Sequence, residues 1–204
     1  MKKYLIALSL FLLGSTVYAQ QVITVYDNNT GKEETIGLPE GMQDDEPEVY
    51  IKRLQNLPNV IEMPYNSVVR KFIDQYTGRL RRSVAMFLGA SNFYIPIFED
   101  ALEAYQLPLE LKYLPIIESA LNPGATSKVG AGGLWQFMPT TGKRYGLEIT
   151  SLIDDRRDPI KSSYAAARML KSLYEIFGDW TLVIASYNCG PGNVTKAIKR
   201  AGGE

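Results

Sequence analysis

The chain has 204 residues, 46% of them apolar, which is enough for one compact domain with appendages. Its formal net charge is +0, so it lacks the basic excess of a phosphate-backbone binder, and no nucleic-acid partner is expected. It has no histidine and one cysteine, Cys189, which excludes Ser-His-Asp and Cys-His nucleophiles, histidine-ligated zinc and an intrachain disulfide. An enzyme with this composition must work with carboxylates, tyrosines and amides, and glycan cleavage is the commonest chemistry that needs little else.

Lys2 and Lys3 precede an apolar run from Leu5 to Leu13 that is too short to cross a bilayer comfortably. Val17 and Ala19 fill the small positions of a cleavage pattern, so residues 1–19 read as a signal peptide and the mature chain starts near Gln20. A periplasmic or cell-envelope location follows. Residues 20–62 read as an acidic, largely disordered linker. Glu33, Glu34, Glu40, Asp44, Asp45, Glu46 and Glu48 gather there with few apolar partners, and "QVITVY" is the one candidate strand. The segment before about Asn59 is therefore expected to be dispensable.

From residue 63 the pattern is helical, and the predicted fold is mainly α. Val69, Phe72, Tyr76, Leu80, Val84 and Phe87 recur at three and four, with Gly89 placed to end that helix. Tyr94, Phe98, Ala101 and Tyr105 mark a second helix. A third starts at Pro108, contains Pro115 as a kink, and carries Leu107, Leu111, Leu114 and Leu121 on one stripe. A fourth is expected from Gly132 through "LWQFMPTTGKRY". Asp158 caps a fifth before Pro159, whose stripe is Ile160, Tyr164, Ala167, Leu170, Tyr174 and Phe177, and Gly178 ends it. "DWTLVIASYN" is apolar enough to be a buried helix, and "GPG" at Gly190–Gly192 precedes a last amphipathic one.

Several polar residues break these patterns. Glu118 shares the leucine stripe of the third helix. A glutamate near a helix end is usually a solvated side chain. Within a leucine-lined site, desolvation would raise its pKa and fit it for general acid catalysis. "GATSKVGAGG" does not follow a strand and lacks the nucleotide-loop pattern, so it reads as a tight loop where backbone approaches something else, a sugar being one such partner. Gln136 is an amide among bulky apolar neighbours and needs a hydrogen-bond partner. Tyr187 and Asn188 end the apolar helix, where each also has a plain reading as core and as cap. "DDRRD" reads as a surface turn with its own arginines.

In this order, "ESALNPGATSKVGAGGLWQFMPTT", "DDRRDP", "YAAARML" and "ASYNCGPGNVTKAI" resemble the soluble lytic transglycosylase domain of glycoside hydrolase family 23, over roughly residue 63 to the end. The resemblance implies a lysozyme-like helical domain with a substrate cleft over residues 63–204, and cleavage of the β-1,4 MurNAc–GlcNAc bond of peptidoglycan with 1,6-anhydro-MurNAc ends. It implies that Glu118 is the catalytic acid/base, that Ser127 helps hold the substrate and that Gln136 contacts the N-acetyl sugar. Met138 would line the cleft, Tyr187 would point toward the catalytic carboxyl and Asn188 would support that corner. Ser186 stands where the family usually has Ala, an exchange expected to be tolerated. Members continue past the position of Glu204 into a helix with a cleft-lining tyrosine, and often into LysM modules, so the C-terminal part of the domain is expected to be cut short. No cofactor or metal is implied. Peptidoglycan glycan strands are the expected partner of a monomer associated with the cell envelope. A hydrolysing lysozyme-type muramidase and a non-catalytic peptidoglycan-binding module are the alternatives. A two-carboxylate hydrolase would need a second acid, and Glu148, Asp154, Asp155 and Asp158 are the nearest candidates in sequence.

Overall fold

A computed structural model describes residues 23–27, 32–36 and 46–203. Two compact units divide the chain: residues up to Leu57 with Met63–Asn66, and Pro58–Glu62 with Ser67 onward. The first holds two antiparallel strands, β1 (Ile23–Asp27) and β2 (Lys32–Ile36), with Ile23 opposite Ile36 and Asp27 opposite Lys32. It also holds helix α1 (Pro47–Gln55). β1 falls on the expected strand, whereas β2 and α1 lie in the stretch read as unstructured linker. Local chemistry explains the helix: Pro47 suits the first turn, Glu48 sits at its positive end, and Lys52 and Arg53 at its negative end. Tyr50 and Tyr65 stack at 6.2 Å. The expected signal peptide lies outside the described residues.

In the larger unit, α2 (Ser67–Thr77) is followed by a short break and then by α3 (Arg81–Ala104). The expected break at Gly89 is absent, and α3 runs through both Gly89 and Pro96. The chain turns at Gly78 instead. Its N–H bonds the Asp74 carbonyl at 3.0 Å, and a Cβ there would lie 2.8 Å from that oxygen. Periodicity could not choose between two glycines, since the apolar spacing continues through both. The α2 stripe is not buried; Phe72 is 55% exposed.

α6 (Pro159–Phe177) starts as expected, with the Asp158 carboxylate accepting from Ile160 N and Lys161 N at 2.9 and 2.8 Å. Its buried face differs from the expected stripe. Ile160 is 58% exposed, while Ser162, Ser163, Ala165, Ala166 and Ala167 are buried with Leu170 and Leu173. Small side chains let α3 approach closely, so Phe98, Ala101 and Leu102 of α3 enter the same core. α7 (Trp180–Cys189) is capped by Asp179, which accepts from Leu182 N at 2.8 Å, and it packs on α6 and on α8 (Pro191–Arg200). α7 was expected to be wholly buried, but only Val183 and Ser186 are. An all-apolar helix has no polar face to mark which side meets solvent.

Residues 58–62 belong to the larger unit, and there Ile61 joins the hydrophobic core. The Glu110 carboxylate accepts the backbone N–H groups of Val60 and Ile61. This moves the N-terminal edge of the domain ahead of residue 63. Burial of an isoleucine contributes about 1.5–3 kcal/mol, and 1 kcal/mol shifts the melting point of a chain this size by about 2–4 °C. A chain beginning at Met63 is expected to melt about 5 °C below one beginning at Pro58. Equal melting temperatures in scanning calorimetry would show that the Ile61 contact contributes nothing.

Candidate active site

Glu118 lies on a helix much shorter than the sequence suggests. A 3₁₀ turn (Leu109–Tyr113) leads into α4 (Leu114–Ser119), and Pro115 falls in the first turn of α4. The proline therefore starts a new helix rather than kinking one, because a first-turn residue needs no N–H donor. Leu107, Leu111, Leu114 and Leu121 are all buried, as the stripe predicts. Glu118 is partly buried beside them, and desolvation raises its pKa above the ordinary 4.5. Two successive non-glycine residues, Ala120 (φ 54°) and Leu121 (φ 58°), end α4 in the left-handed region. Each costs on the order of 1–3 kcal/mol and needs surrounding structure to hold it. Burial of Leu121 supplies that support.

The helix expected from Gly132 begins only at Pro139, as α5 (Pro139–Arg144). Gly132–Phe137 is a tight hairpin. Gly132 N bonds Phe137 O at 3.0 Å, Phe137 N bonds Gly132 O at 3.1 Å, and Gln136 N bonds Gly133 O at 3.2 Å. Gly133 (φ 79°) and Gln136 (φ 48°) take the left-handed positions that close it. Leu134 and Trp135, between them, are fully buried. Neighbouring elements grip this turn by its carbonyls. Ser119 Oγ, one residue after Glu118, lies 2.9 Å from Leu134 O, and the Tyr187 hydroxyl donates to Trp135 O at 2.5 Å. Burial, and then the charge of Glu118, push the Tyr187 phenol far above its ordinary pKa. Tyr187 and Glu118 are therefore electrostatic neighbours, with the hydroxyl proton committed to Trp135.

The sequence marks the glycine loop as a place where backbone meets a partner, with a sugar as one candidate. Its partner within the chain is Arg156. A Cβ on Gly132 would stand 3.0 Å from Arg156 Cζ, and one on Gly133 would stand 1.7 Å from the Arg156 carbonyl oxygen. "DDRRD" is accordingly no surface turn: Asp155 and Arg156 are each 8% exposed. Asp155 accepts from Glu148 N and Lys161 Nζ, and Arg157 bonds Gly124 O and Thr126 Oγ1. The Arg156 hydrogen bond holds the Asp154 carboxyl below its usual range. Two adjacent arginines following a glycine loop were the only sequence hint of this arrangement.

The other expected site residues fall as follows. Ser127 Oγ accepts from Ala131 N at 3.0 Å, which leaves its hydroxyl proton available. Gln136 Nε2 donates to Gly133 O at 2.9 Å, which leaves Oε1 and a second N–H. Met138 is 40% exposed, two residues from Gln136. Asn188 is exposed and bonds Ile184 O within its own helix, so it closes α7 rather than joining the turn. Ser186 is fully buried, and its Oγ has no partner among the described residues.

The family model described as a transglycosylase SLT domain matches residues 96–204, more than half of the chain. The chain belongs to that family. Membrane-bound lytic murein transglycosylase D of Escherichia coli (strain K12) is 51% identical over 94 residues, 46% of this chain and 21% of that protein. Membrane-bound lytic murein transglycosylase F of Serratia proteamaculans (strain 568) is 32% identical over 124 residues, 55% of this chain and 24% of that one. The matched region thus spans about a fifth to a quarter of these relatives. Among solved structures, the 70 kDa soluble lytic transglycosylase from Escherichia coli aligns with 52% of this chain and 18% of its own, at 27% identity and a TM-score of 0.47.

Because burial raises the Glu118 pKa, the folded state favours the neutral acid. That contribution is fully present below the unfolded-state value and is lost as pH rises through the higher folded-state value. Glu118→Gln cannot ionise and escapes the loss. Its melting temperature is expected to match wild type near pH 4 and exceed it at pH 8. Parallel melting curves for the two proteins across that range would contradict the desolvation of Glu118.

Proposed function

We propose that this chain is the catalytic part of a peptidoglycan lytic transglycosylase, with Glu118 as its single acid and base. The carrying observation is that burial, rather than a neighbouring carboxylate, raises Glu118. Three of the four nearby acids in sequence are otherwise engaged. Asp158 caps α6, Asp154 grips Arg156, and Asp155 holds Lys161. Glu148 is exposed. This favours one-carboxylate chemistry over a two-carboxylate hydrolase.

In this reading, protonated Glu118 gives its proton to the glycosidic oxygen as the C1–O bond of MurNAc breaks. The substrate's own acetamide stabilises the positive charge developing at C1. The free hydroxyl proton of Ser127 and the remaining amide atoms of Gln136 hold that acetamide, and Met138 lines the same wall. Ionised Glu118 then takes the proton of the C6 hydroxyl, whose oxygen bonds to C1. A 1,6-anhydro ring forms, no water is consumed and Glu118 is protonated again. Tyr187 acts through Trp135, holding the turn, and Asn188 closes the helix that carries Tyr187.

Digestion of peptidoglycan in heavy-oxygen water is expected to release unlabelled 1,6-anhydro-MurNAc ends, each lighter by one water than a lysozyme product. Glu118→Gln is expected to lose on the order of 10² to 10⁴ in rate or more. Labelled reducing MurNAc ends as the main product would establish the hydrolase, and binding without cleavage would establish a glycan-binding module.

We further propose that residues 1–19 direct export and are removed after Ala19, placing the domain at the cell envelope. The support is the short apolar run behind Lys2 and Lys3. No described helix is long and apolar enough to cross a membrane. N-terminal sequencing of exported protein is expected to begin at Gln20, and a retained Met1 would refute the cleavage.

A further inference from the structure

Arg156 has no part in the reaction above, yet its guanidinium is the most heavily engaged group near the site. Nε and Nη2 pair with the two oxygens of Asp154 at 2.8 and 2.9 Å, which fixes the guanidinium plane. Nη1 then donates to Gly130 O at 2.7 Å and to Phe137 O at 3.0 Å. These carbonyls belong to different parts of the site. Gly130 and its neighbour Ala131 close the loop around Ser127: Gly130 N bonds Ser127 O, and Ser127 N bonds Ala131 O. Phe137 follows Gln136 and ends the hairpin. One nitrogen therefore joins the Ser127 loop to the Gln136 turn. The glycines of the loop are shaped to this group, since a Cβ at Gly132 would press on Arg156 Cζ.

We propose that Arg156, oriented by Asp154, is a positioning residue that sets the spacing between Ser127 and Gln136, so that both side chains act on one N-acetyl sugar. The inference rests on the glycan-cleaving reading above. Glu118 sits on α4, which Arg156 does not contact among the described hydrogen bonds. Loss of the strut should therefore weaken hold on the sugar more than it slows proton transfer. Lysine cannot replace it: an ammonium is a point donor without the fork that spans a carboxylate and two carbonyls.

The test uses Arg156→Lys and Gly132→Ala on the full chain with Trp180→Phe, which leaves Trp135, inside the hairpin, as the one remaining indole. Both variants are expected to raise KM for soluble glycan chains from peptidoglycan roughly tenfold, the scale of one or two displaced hydrogen bonds. Their kcat should change less than about threefold, and Trp135 emission should shift. Simple destabilisation would instead lower kcat with the folded fraction and leave KM unchanged. That pattern, or wild-type values for KM and kcat, overturns the proposal. Should the parent chain cleave no peptidoglycan, the functional reading falls by itself. Trp135 emission then decides the strut alone, and an unchanged spectrum in both variants overturns it.

Discussion

The placement of Glu118 depends on the burial of one side chain, Trp135. Its indole is fully buried, meets Phe98 of α3 edge-on at 5.2 Å, and donates from Nε1 to Ser163 Oγ of α6 at 3.0 Å. Its carbonyl takes the hydroxyl of Tyr187 from α7, and the preceding carbonyl faces Ser119 at the end of α4. Four helices thus converge on two adjacent residues of a hairpin. A large buried aromatic is worth several kcal/mol, about 3–5 when truncated to Ala. That energy, spent inside a turn rather than inside a helix, makes a strained backbone the stable one. Gln136, at φ 48°, is held in place because Trp135 has nowhere else to go.

Glu118 runs against stability in a complementary way. Its partial burial disfavours the charged form, and the left-handed Ala120 and Leu121 behind it carry backbone strain. The Ser186 hydroxyl, one residue before Tyr187, adds a further polar atom without a partner among the described residues. All three sit where helices end around the hairpin. Strain and desolvation gathered at one place in an otherwise well-paired structure are expected of a reactive site. The compensating burial lies in the α3–α6 contact, where alanines and serines of α6 admit Phe98 and Leu102.

Much of this was legible in the sequence. The leucine stripe with Glu118 on it, the Asp158 cap, the mainly helical class and the motif order all carried over, because each depends on local spacing. What failed depended on contacts between distant segments. Gly132–Phe137 looks helical by composition, but its carbonyls are claimed by Ser119, Tyr187 and Arg156, so it folds as a hairpin. "DDRRD" looks solvated because all five of its residues carry charged side chains of a surface type, and nothing local shows that Gly130 and Phe137 would accept from Arg156. Ile61 looked like linker because its partners, the core and the Glu110 carboxylate, come some fifty positions later in the chain.

Hydrogen bonds within the chain also limit how such a site could recognise a sugar. A glycine-rich loop ordinarily offers its backbone to a ligand, as phosphate loops do. Here the carbonyls of Gly130, Gly133, Leu134, Trp135 and Phe137 already accept from side chains or from the hairpin itself. The N–H groups of Ser127, Gly130, Ala131, Gly132 and Gly133 are likewise taken within the loop. These backbone groups are committed within the chain. Under the function proposed above, the Ser127 hydroxyl proton and the remaining amide atoms of Gln136 are the groups that would meet the sugar. Such a division lets the main chain be rigid while side chains carry specificity. The close approach to Arg156 is what requires glycine at Gly132 and Gly133, where a Cβ would stand 3.0 Å from Arg156 Cζ and 1.7 Å from the Arg156 carbonyl oxygen.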